Sequence, residues 1–418
     1  MLKVHNLSKQ YSGNELFSEV SFTLGPSEKL GLVGRNGSGK STLLKIIQGI
    51  EKADEGSIEA SKGYRVAVLR QNLSFDAPNI LEECRKALPE AEKYDLYKGE
   101  KILSGLGFHE EDFLRSPSEF SGGYQLRLEL TKALLSSPDL LLLDEPTNYL
   151  DVLSVRWLIG FLKNHPASII LVSHDRSFMD GVCEMIAGIS RKQLRKIKGI
   201  TKDYYEQIAE EERVYELTRQ NQEKKKKHME DYVTRFRAKA NKARQAQSKL
   251  KQFEKMDDME ELATEKSLDF YFRYKECPGK TLVEFKKGYF SYPKKEIFKN
   301  LNIPLNQGDV LGVIGENGTG KTTLLKILAD ELKLTDGYIK NHPKLEKGFY
   351  GQTNEKWLQH KNSVVKEILQ ANDRLTHTEV RAIAGAMMFS GDDADKTISI
   401  LSGGEKARVM KGKIKAQP

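Results

Sequence analysis

Two short stretches of this sequence set a lysine and a hydroxyl behind a run of glycines. Gly34-Arg-Asn-Gly-Ser-Gly-Lys40-Ser41 and Gly315-Glu-Asn-Gly-Thr-Gly-Lys321-Thr322 both have the form GxxxxGK[ST]. In that form the backbone N–H groups of Gly34, Asn36, Gly37, Ser38, Gly39 and Thr42 can curl around phosphate oxygens. Gly315, Asn317, Gly318, Thr319, Gly320 and Thr323 can do the same in the second stretch. The N-terminus of the following helix adds its positive end. Lys40 and Lys321 would bring charge to the β- and γ-phosphates of a nucleotide, and Ser41 and Thr322 would offer a hydroxyl to Mg2+. A single match could be an ordinary glycine-rich turn; two matches in the same context argue against that reading.

Other residues complete a hydrolytic set. LLLLDEPTNYLD places Asp144 and Glu145 at the end of an apolar run. There Asp144 would hold Mg2+ through water, and Glu145 would orient or deprotonate an attacking water. His174, in Ser-His-Asp-Arg after the next apolar run, could donate to a γ-phosphate, although a lone histidine is more often structural. Gln71, after YRVAVL, could contact Mg2+ and the water, with Gln352 as its counterpart. Tyr11 and Tyr292 each stand 23 residues before the first loop glycine and could stack on adenine; edge packing is the plainer alternative. Ser121-Gly122-Gly123 and Ser402-Gly403-Gly404-Glu405 each precede a helical pattern and could present a hydroxyl and N–H groups to an anion. Helix capping accounts for the serines but not for paired glycines in both places.

These residues demand particular elements. An apolar strand pattern, Leu30–Val33 or Val310–Ile314, runs into each glycine loop, and a helical pattern follows over Thr42–Ile47 or Thr323–Leu328. Leu140–Asp144 and Ser168–Ser173 read as strands of a buried, largely parallel sheet. Between Gln71 and Ser121 the charged, mostly helical pattern predicts a small helical subdomain. One offset relates the halves: Gly34 to Gly315 is 281 residues, and it also carries Tyr11 to Tyr292, Lys40 to Lys321, Gln71 to Gln352 and Ser121 to Ser402. The chain is therefore a tandem repeat. The predicted fold is α/β, with two cassettes over 1–200 and 281–418, a basic helical linker over 201–262 and a connector over 263–280.

Composition narrows the partners. The 418 residues carry a net charge of +8, yet residues 224–255 hold twelve Lys/Arg against three acidic residues. That is +9 in one segment and −1 in all the rest, the footprint of a polyanion-binding arm, a solvated face being the plainer reading. Ile208, Tyr215, Gln222, Met229 and Phe236 recur every seven residues, and Ala243, Ala246, Leu250 and Phe253 follow in steps of three and four. The pattern predicts an antiparallel helical hairpin turning near Arg237–Asn241. A mean hydropathy of −0.54 and no apolar run near ~18 residues argue against a membrane span. The opening MLKVHNLSKQ has no apolar core of a secretory signal. Cys84, Cys183 and Cys277 lie far apart, which excludes a disulfide scaffold or zinc finger and suits the cytoplasm.

The glycine loop, Gln, SGG, LLLLDEP, Leu-Asp and His, in that order, resemble the nucleotide-binding domain of the ATP-binding cassette superfamily. Two cassettes on one chain, DEPTNYLD, SGGYQ and the basic linker RFRAKANKARQAQSKLKQFEKM resemble the ABC-F family in particular. The resemblance implies ATP and Mg2+ as ligands and ATP hydrolysis, with cassettes pairing within one chain as a monomer. It implies one site from Tyr11, Gly34 to Thr42, Gln71, Asp144, Glu145 and His174 closed by Ser402 to Glu405. It implies a second from Tyr292, Gly315 to Thr323 and Gln352 closed by Ser121 to Gln125. It further implies a ribosome, tRNA or rRNA partner met through Arg235, Arg237, Lys239, Lys242, Arg244 and Lys249. Two other readings are an ATPase subunit of a transporter and a nucleic-acid-binding scaffold with little turnover.

The second copy departs from the pattern. The positions matching Asp144, Glu145 and His174 would fall beyond residue 418, so this copy has no Mg2+ aspartate, base or histidine within the sequence. Hydrolysis is expected at the first site alone, with copy two the less stable half. Leu130 and Leu134 become Lys411 and Lys415 at the same offset, which predicts a wet helix face there.

Overall fold

The computed structural model describes residues 1–11, 14–34, 37–69, 74–148, 150–236, 270–272, 277–293, 295–351 and 358–417. The chain divides into two compact units, Met1–Glu261 and Leu262–Pro418.

The first unit opens with β1 (Leu2–Tyr11) and β2 (Asn14–Leu24), followed by β3 (Lys29–Gly34), the glycine loop and α1 (Lys40–Ile47). β4 (Glu55–Ala60) joins β1 and β2 in an antiparallel sheet of order β2-β1-β4. Next come β5 (Val66–Val68) and the helical subdomain: α2 (Ile80–Ala87), α3 (Leu96–Gly105) and α4 (Gly122–Leu135). β6 (Leu140–Asp144), α5 (Val152–Lys163), β7 (Ser168–Val172), α6 (Arg176–Val182), β8 (Met185–Ser190) and β9 (Gln193–Lys198) complete the body. The main sheet runs β5-β6-β7-β3-β8-β9, parallel throughout except at the β8–β9 hairpin.

The four leucines of β6 are buried because a strand inside this sheet is covered on both faces. Side chains alternate between faces along a strand. Leu141 and Leu143 join the core shared with the helical subdomain, whereas Leu140 and Leu142 join the core beneath α1 and the antiparallel sheet. This arrangement puts the C-terminal ends of β3, β6 and β7 side by side. Those ends carry the glycine loop, Asp144-Glu145 and Ser173-His174.

α7 (Thr201–Phe236) leaves the end of β9 as a single helix of 36 residues, about 54 Å long at 1.5 Å per residue. Its root is seated on the body: Tyr204 is buried, and a Cβ at Gly188 in β8 would clash with its hydroxyl. Of the predicted seven-residue seam, Ile208 packs against the core and Tyr215 lies 4.1 Å beneath the Arg191 guanidinium. The turn near Arg237–Asn241 and the second linker helix lie outside the described residues.

In the second unit β10 (Thr281–Tyr292) pairs antiparallel with β11 (Lys295–Leu301), β12 (Pro304–Asn306) and β13 (Asp336–Asn341). The glycine loop leads into α8 (Lys321–Leu328), and α9 (Val364–Leu369), α10 (His377–Ala386) and α11 (Gly403–Ala416) pack as a helical cluster. Two expectations fail here. Residues 310–314 form no strand, and no parallel strand pair occurs among the described residues of this unit. The counterparts of β7 and β8, which flank β3 in the first unit, would lie beyond residue 418, so among the described residues this segment has no backbone to pair with. The lysine face of α11 is only partly wet. Lys411 and Lys415 are half-buried, their ammonium groups lying 5.9 Å from the Tyr350 ring centre and 4.8 Å from that of Tyr271. Aromatic faces attract cations, and the long aliphatic stems of lysine cover apolar surface.

Each unit holds an ion pair to a buried glutamate that motif reading passes over. Lys132 on α4 reaches the buried Glu83 of α2 at 3.2 Å, and Lys413 on α11 reaches the buried Glu367 of α9 at 2.6 Å. Burial pushes the Glu83 carboxyl up, but the N–H groups of Ala77 and Asp76 and the Lys132 charge outweigh it and hold it low. In each unit the pair ties the helix after SGG to the first helix of the helical cluster.

Candidate nucleotide site

Gly39 ends the first glycine loop and caps α1 with φ 93°, and Gly320 caps α8 with φ 99°. Both lie in the left-handed region, where a side chain is strained. A Cβ would also come within 2.8 Å of the Phe17 ring at Gly39 and would clash with Ile297 at Gly320. Only glycine lets either loop turn into its helix.

In the first unit Lys40 Nζ donates to the Gly34 carbonyl at 2.7 Å, closing the loop on itself. Ser41 Oγ donates to Asp144 Oδ2 at 3.2 Å, which joins the loop to the end of β6. Glu145 sits next along with φ 50°, a costly conformation for a residue with a side chain, held by its N–H bond to the Val172 carbonyl at 2.9 Å. His174 Nε2 lies 3.7 Å from Glu145 Oε1. Burial raises the Glu145 carboxyl above the ordinary glutamate range; the Asp144 charge adds to this, while His174 and Lys40 oppose it. Burial lowers the Lys40 ammonium, against the pull of Asp144 and Glu145.

A cavity of about 140 Å³ opens among these groups. Gly34, Lys40, Glu145 and His174 line it together with Arg176, Thr201 and Tyr205. The last three are not among the residues that motif spacing singles out. Arg176 is legible only as the fourth residue of Ser-His-Asp-Arg, and Thr201 and Tyr205 belong to the root of the linker helix.

Tyr11 and Tyr292 are both half-exposed on the flanking antiparallel sheets. The Tyr11 hydroxyl donates to the Glu51 carboxylate, with Lys9 Nζ 5.3 Å from its ring centre. Tyr292 instead has its hydroxyl 3.3 Å from Thr323 Oγ1 and meets the Phe290 ring edge-on. The second glycine loop keeps its lysine geometry, Lys321 Nζ donating to the Gly315 and Glu316 carbonyls at 2.7 and 2.6 Å. Among the described residues of that unit, nothing matches Asp144, Glu145 or His174.

The two SGG segments differ in detail. Ser402 forms a capping box with Glu405, whereas the Ser121 side chain makes no capping bond. Capping thus explains Ser402 but not Ser121. A Cβ at Gly122 or Gly404 would meet nothing within 4 Å, so packing does not call for glycine at these exposed positions. Asn36, Gln71, Gln352, Arg237, Lys239, Lys242, Arg244 and Lys249 lie outside the described residues, and Arg235 is placed only as part of the α7 backbone.

The ABC transporter family model matches residues 17–148 and 298–413, and a second model of the same description matches 187–270. YdiF of Bacillus subtilis is 32% identical over all of this chain and 72% of its own length. ABC transporter F family member 5 of Arabidopsis thaliana is 30% identical over all of this chain and 67% of its own. The chain belongs to the ABC-F family. A solved ATP-binding subunit of an ABC transporter is 25% identical over 50% of this ABC-F chain and 93% of its own, with a TM-score of 0.42. Cassettes of this superfamily bind and hydrolyse ATP. Among the described residues of this ABC-F chain, no helix is long and apolar enough to cross a membrane.

The first site fits a magnesium-bound polyphosphate. Its donors are the loop N–H groups, an ammonium and a hydroxyl, and the hydroxyl already points at a carboxylate. Ser38 Oγ and Glu145 Oε1 are buried there without a hydrogen bond, which is costly unless a ligand supplies one.

Proposed function

We propose that this ABC-F chain binds Mg-ATP at its first cassette, hydrolyses it there, and acts on an RNA surface of the ribosome or a tRNA through its basic arm. The observation that carries the ATPase reading is the 3.2 Å hydrogen bond between Ser41 and Asp144, because it joins the glycine loop to the carboxylate pair. In this reading Lys40 exchanges the Gly34 carbonyl for phosphate oxygens, and Ser41 and Asp144 would hold a metal ion that would screen phosphate charge. Glu145, already raised by burial, accepts a proton from the attacking water, and His174 orients the terminal phosphate. The second loop, whose Lys321 folds back on its own carbonyls as Lys40 does, binds a nucleotide's phosphates in the same way.

Charge and reach support the RNA reading. Lys224–Lys227 stand on α7 about 35 Å from its first residue at 1.5 Å per residue. They open the segment that carries +9. Cations so placed gain affinity for a phosphate backbone by releasing its counterions. Replacing Arg235, Arg237, Lys239, Lys242 and Arg244 by alanine should weaken binding to ribosomes or tRNA. The slope of log affinity against log salt should flatten by about 0.7–0.9 for each phosphate that is no longer neutralised. Binding and slope both unchanged would reduce the arm to a solvated spacer.

A further inference from the structure

The cavity behind Lys40 and Glu145 is walled on one side by the linker helix. Thr201 and Tyr205, in the first two turns of α7, line it together with Arg176, the first residue of α6. α6 begins two residues after His174, and Asp175 caps it by accepting from the Phe178 N–H at 3.0 Å. α6 in turn grips the linker helix at two points. Asp180 accepts from the backbone N–H of Thr201 at 2.8 Å and from its hydroxyl at 3.0 Å. The Arg176 guanidinium lies 4.5 Å from the ring centre of Tyr205.

The next turns of α7 are held by the β8–β9 hairpin: Arg195 is 3.5 Å from Glu211, and Arg191 covers Tyr215. The histidine turn, α6 and the root of α7 therefore form one continuous packed path. A shift of the backbone that carries His174 is passed to the start of α6, and from α6 to α7 through the Asp180–Thr201 bonds and the Arg176–Tyr205 stack.

We infer that Arg176 and Tyr205 are positioning residues that couple the root of the linker helix to the hydrolytic residues of the first site. Nucleotide there changes how the first turns of α7 are held. The inference rests on the ATPase reading above. Neither residue needs to touch ATP: Tyr205 fixes Arg176, and Arg176 fixes the turn that carries His174.

The test uses the full chain with Glu145→Gln, so that ATP is held rather than consumed. Amide hydrogen exchange over residues 201–215 is compared with and without ATP, while a fluorescent ATP analogue reports binding in the same samples. ATP should slow exchange in these turns about fivefold or more. Tyr205→Leu should abolish that slowing, and Tyr205→Phe, which keeps a ring for Arg176, should restore most of it. With Glu145 intact, Tyr205→Leu should lower kcat about tenfold while KM stays within about twofold, the split expected of positioning rather than binding. Should Tyr205→Leu unfold the root, Arg176→Gln breaks the stack from the other side, and the same loss is expected. Bound ATP with unchanged exchange, or a broken stack that responds like the parent, overturns the coupling. Absence of ATP binding overturns the ATPase reading and the coupling with it.

Discussion

β3 and the segment 310–315 have nearly the same sequence, KLGLVG and VLGVIG, and the two units treat them differently. Leu30 and Val33 are 1% and 6% exposed, whereas their counterparts Leu311 and Ile314 are 50% and 81% exposed. β3 is a strand because it lies between β7 and β8 and shares hydrogen bonds with both. The segment 310–315 has no such neighbours among the described residues, and an unpaired extended segment gains neither hydrogen bonds nor burial. The glycine loop and α8 nevertheless form directly after it. A phosphate loop is thus a local structure set by its glycines, whereas the strand before it is made by the sheet around it.

The largest test of this contrast is turnover. If hydrolysis belongs to the unit with a complete sheet, Glu145→Gln should lower steady-state ATPase by about 10²–10⁴ while ATP still binds. Lys40→Ala should weaken ATP at the first loop by a few kcal/mol, given ~1.5–3 for a charged hydrogen bond. Lys321→Ala should cost turnover far less, within about tenfold on the same reasoning. Turnover that follows Lys321 and ignores Lys40 and Glu145 would reverse the roles of the two units.

Stability gives the next largest effect. Leu32→Ala empties a buried position in the core beneath α1 and should destabilise the first unit by about 2–5 kcal/mol in equilibrium denaturation. Ile314→Ala, on the exposed segment, should stay within about 0.5 kcal/mol of the parent. Equal costs at both positions would mean that the second segment is paired after all.

The smallest effect is electrostatic. Because the folded state raises the Glu145 carboxyl, folding favours its protonated form. Its share of stability is present below the ordinary glutamate pKa of about 4.3 and is lost as pH rises through the raised folded value. Glu145→Gln should therefore melt slightly higher than the parent at pH 8, by less than the roughly 2–4 °C that 1 kcal/mol gives in a domain of this size. The gap should close as pH falls below the ordinary glutamate range. An equal gap at low pH would assign the effect to packing rather than to charge. The same shift places the acidic limb of turnover above that of an ordinary glutamate.

Much of the site was legible beforehand. GxxxxGK[ST] and LLLLDE name their groups because the chemistry lies within a few consecutive residues, and the repeat offset aligns the second loop with the first. The charge of the arm was equally plain, since charge is additive along a chain. The wall of the cavity was not. Arg176 meets Tyr205 across an intervening hairpin, and Lys132 meets Glu83 across the helical subdomain, so neither pair leaves a periodic or spaced signal.

Residue order was enough to dictate the local chemistry: where glycine frees the backbone, where a lysine and a hydroxyl await phosphate, and where carboxylates end an apolar run. It took the folded arrangement to settle which apolar runs become strands, which lysines are covered by rings, and which helix walls the cavity behind Lys40 and Glu145. The reason lies in how each is held. A glycine loop is specified by the φ angles of its own residues, but a parallel strand takes its hydrogen bonds from partners far along the chain, as Lys29 does beside Ile169. Where the described residues offer no such partner, a closely similar apolar segment, 310–315, stays exposed.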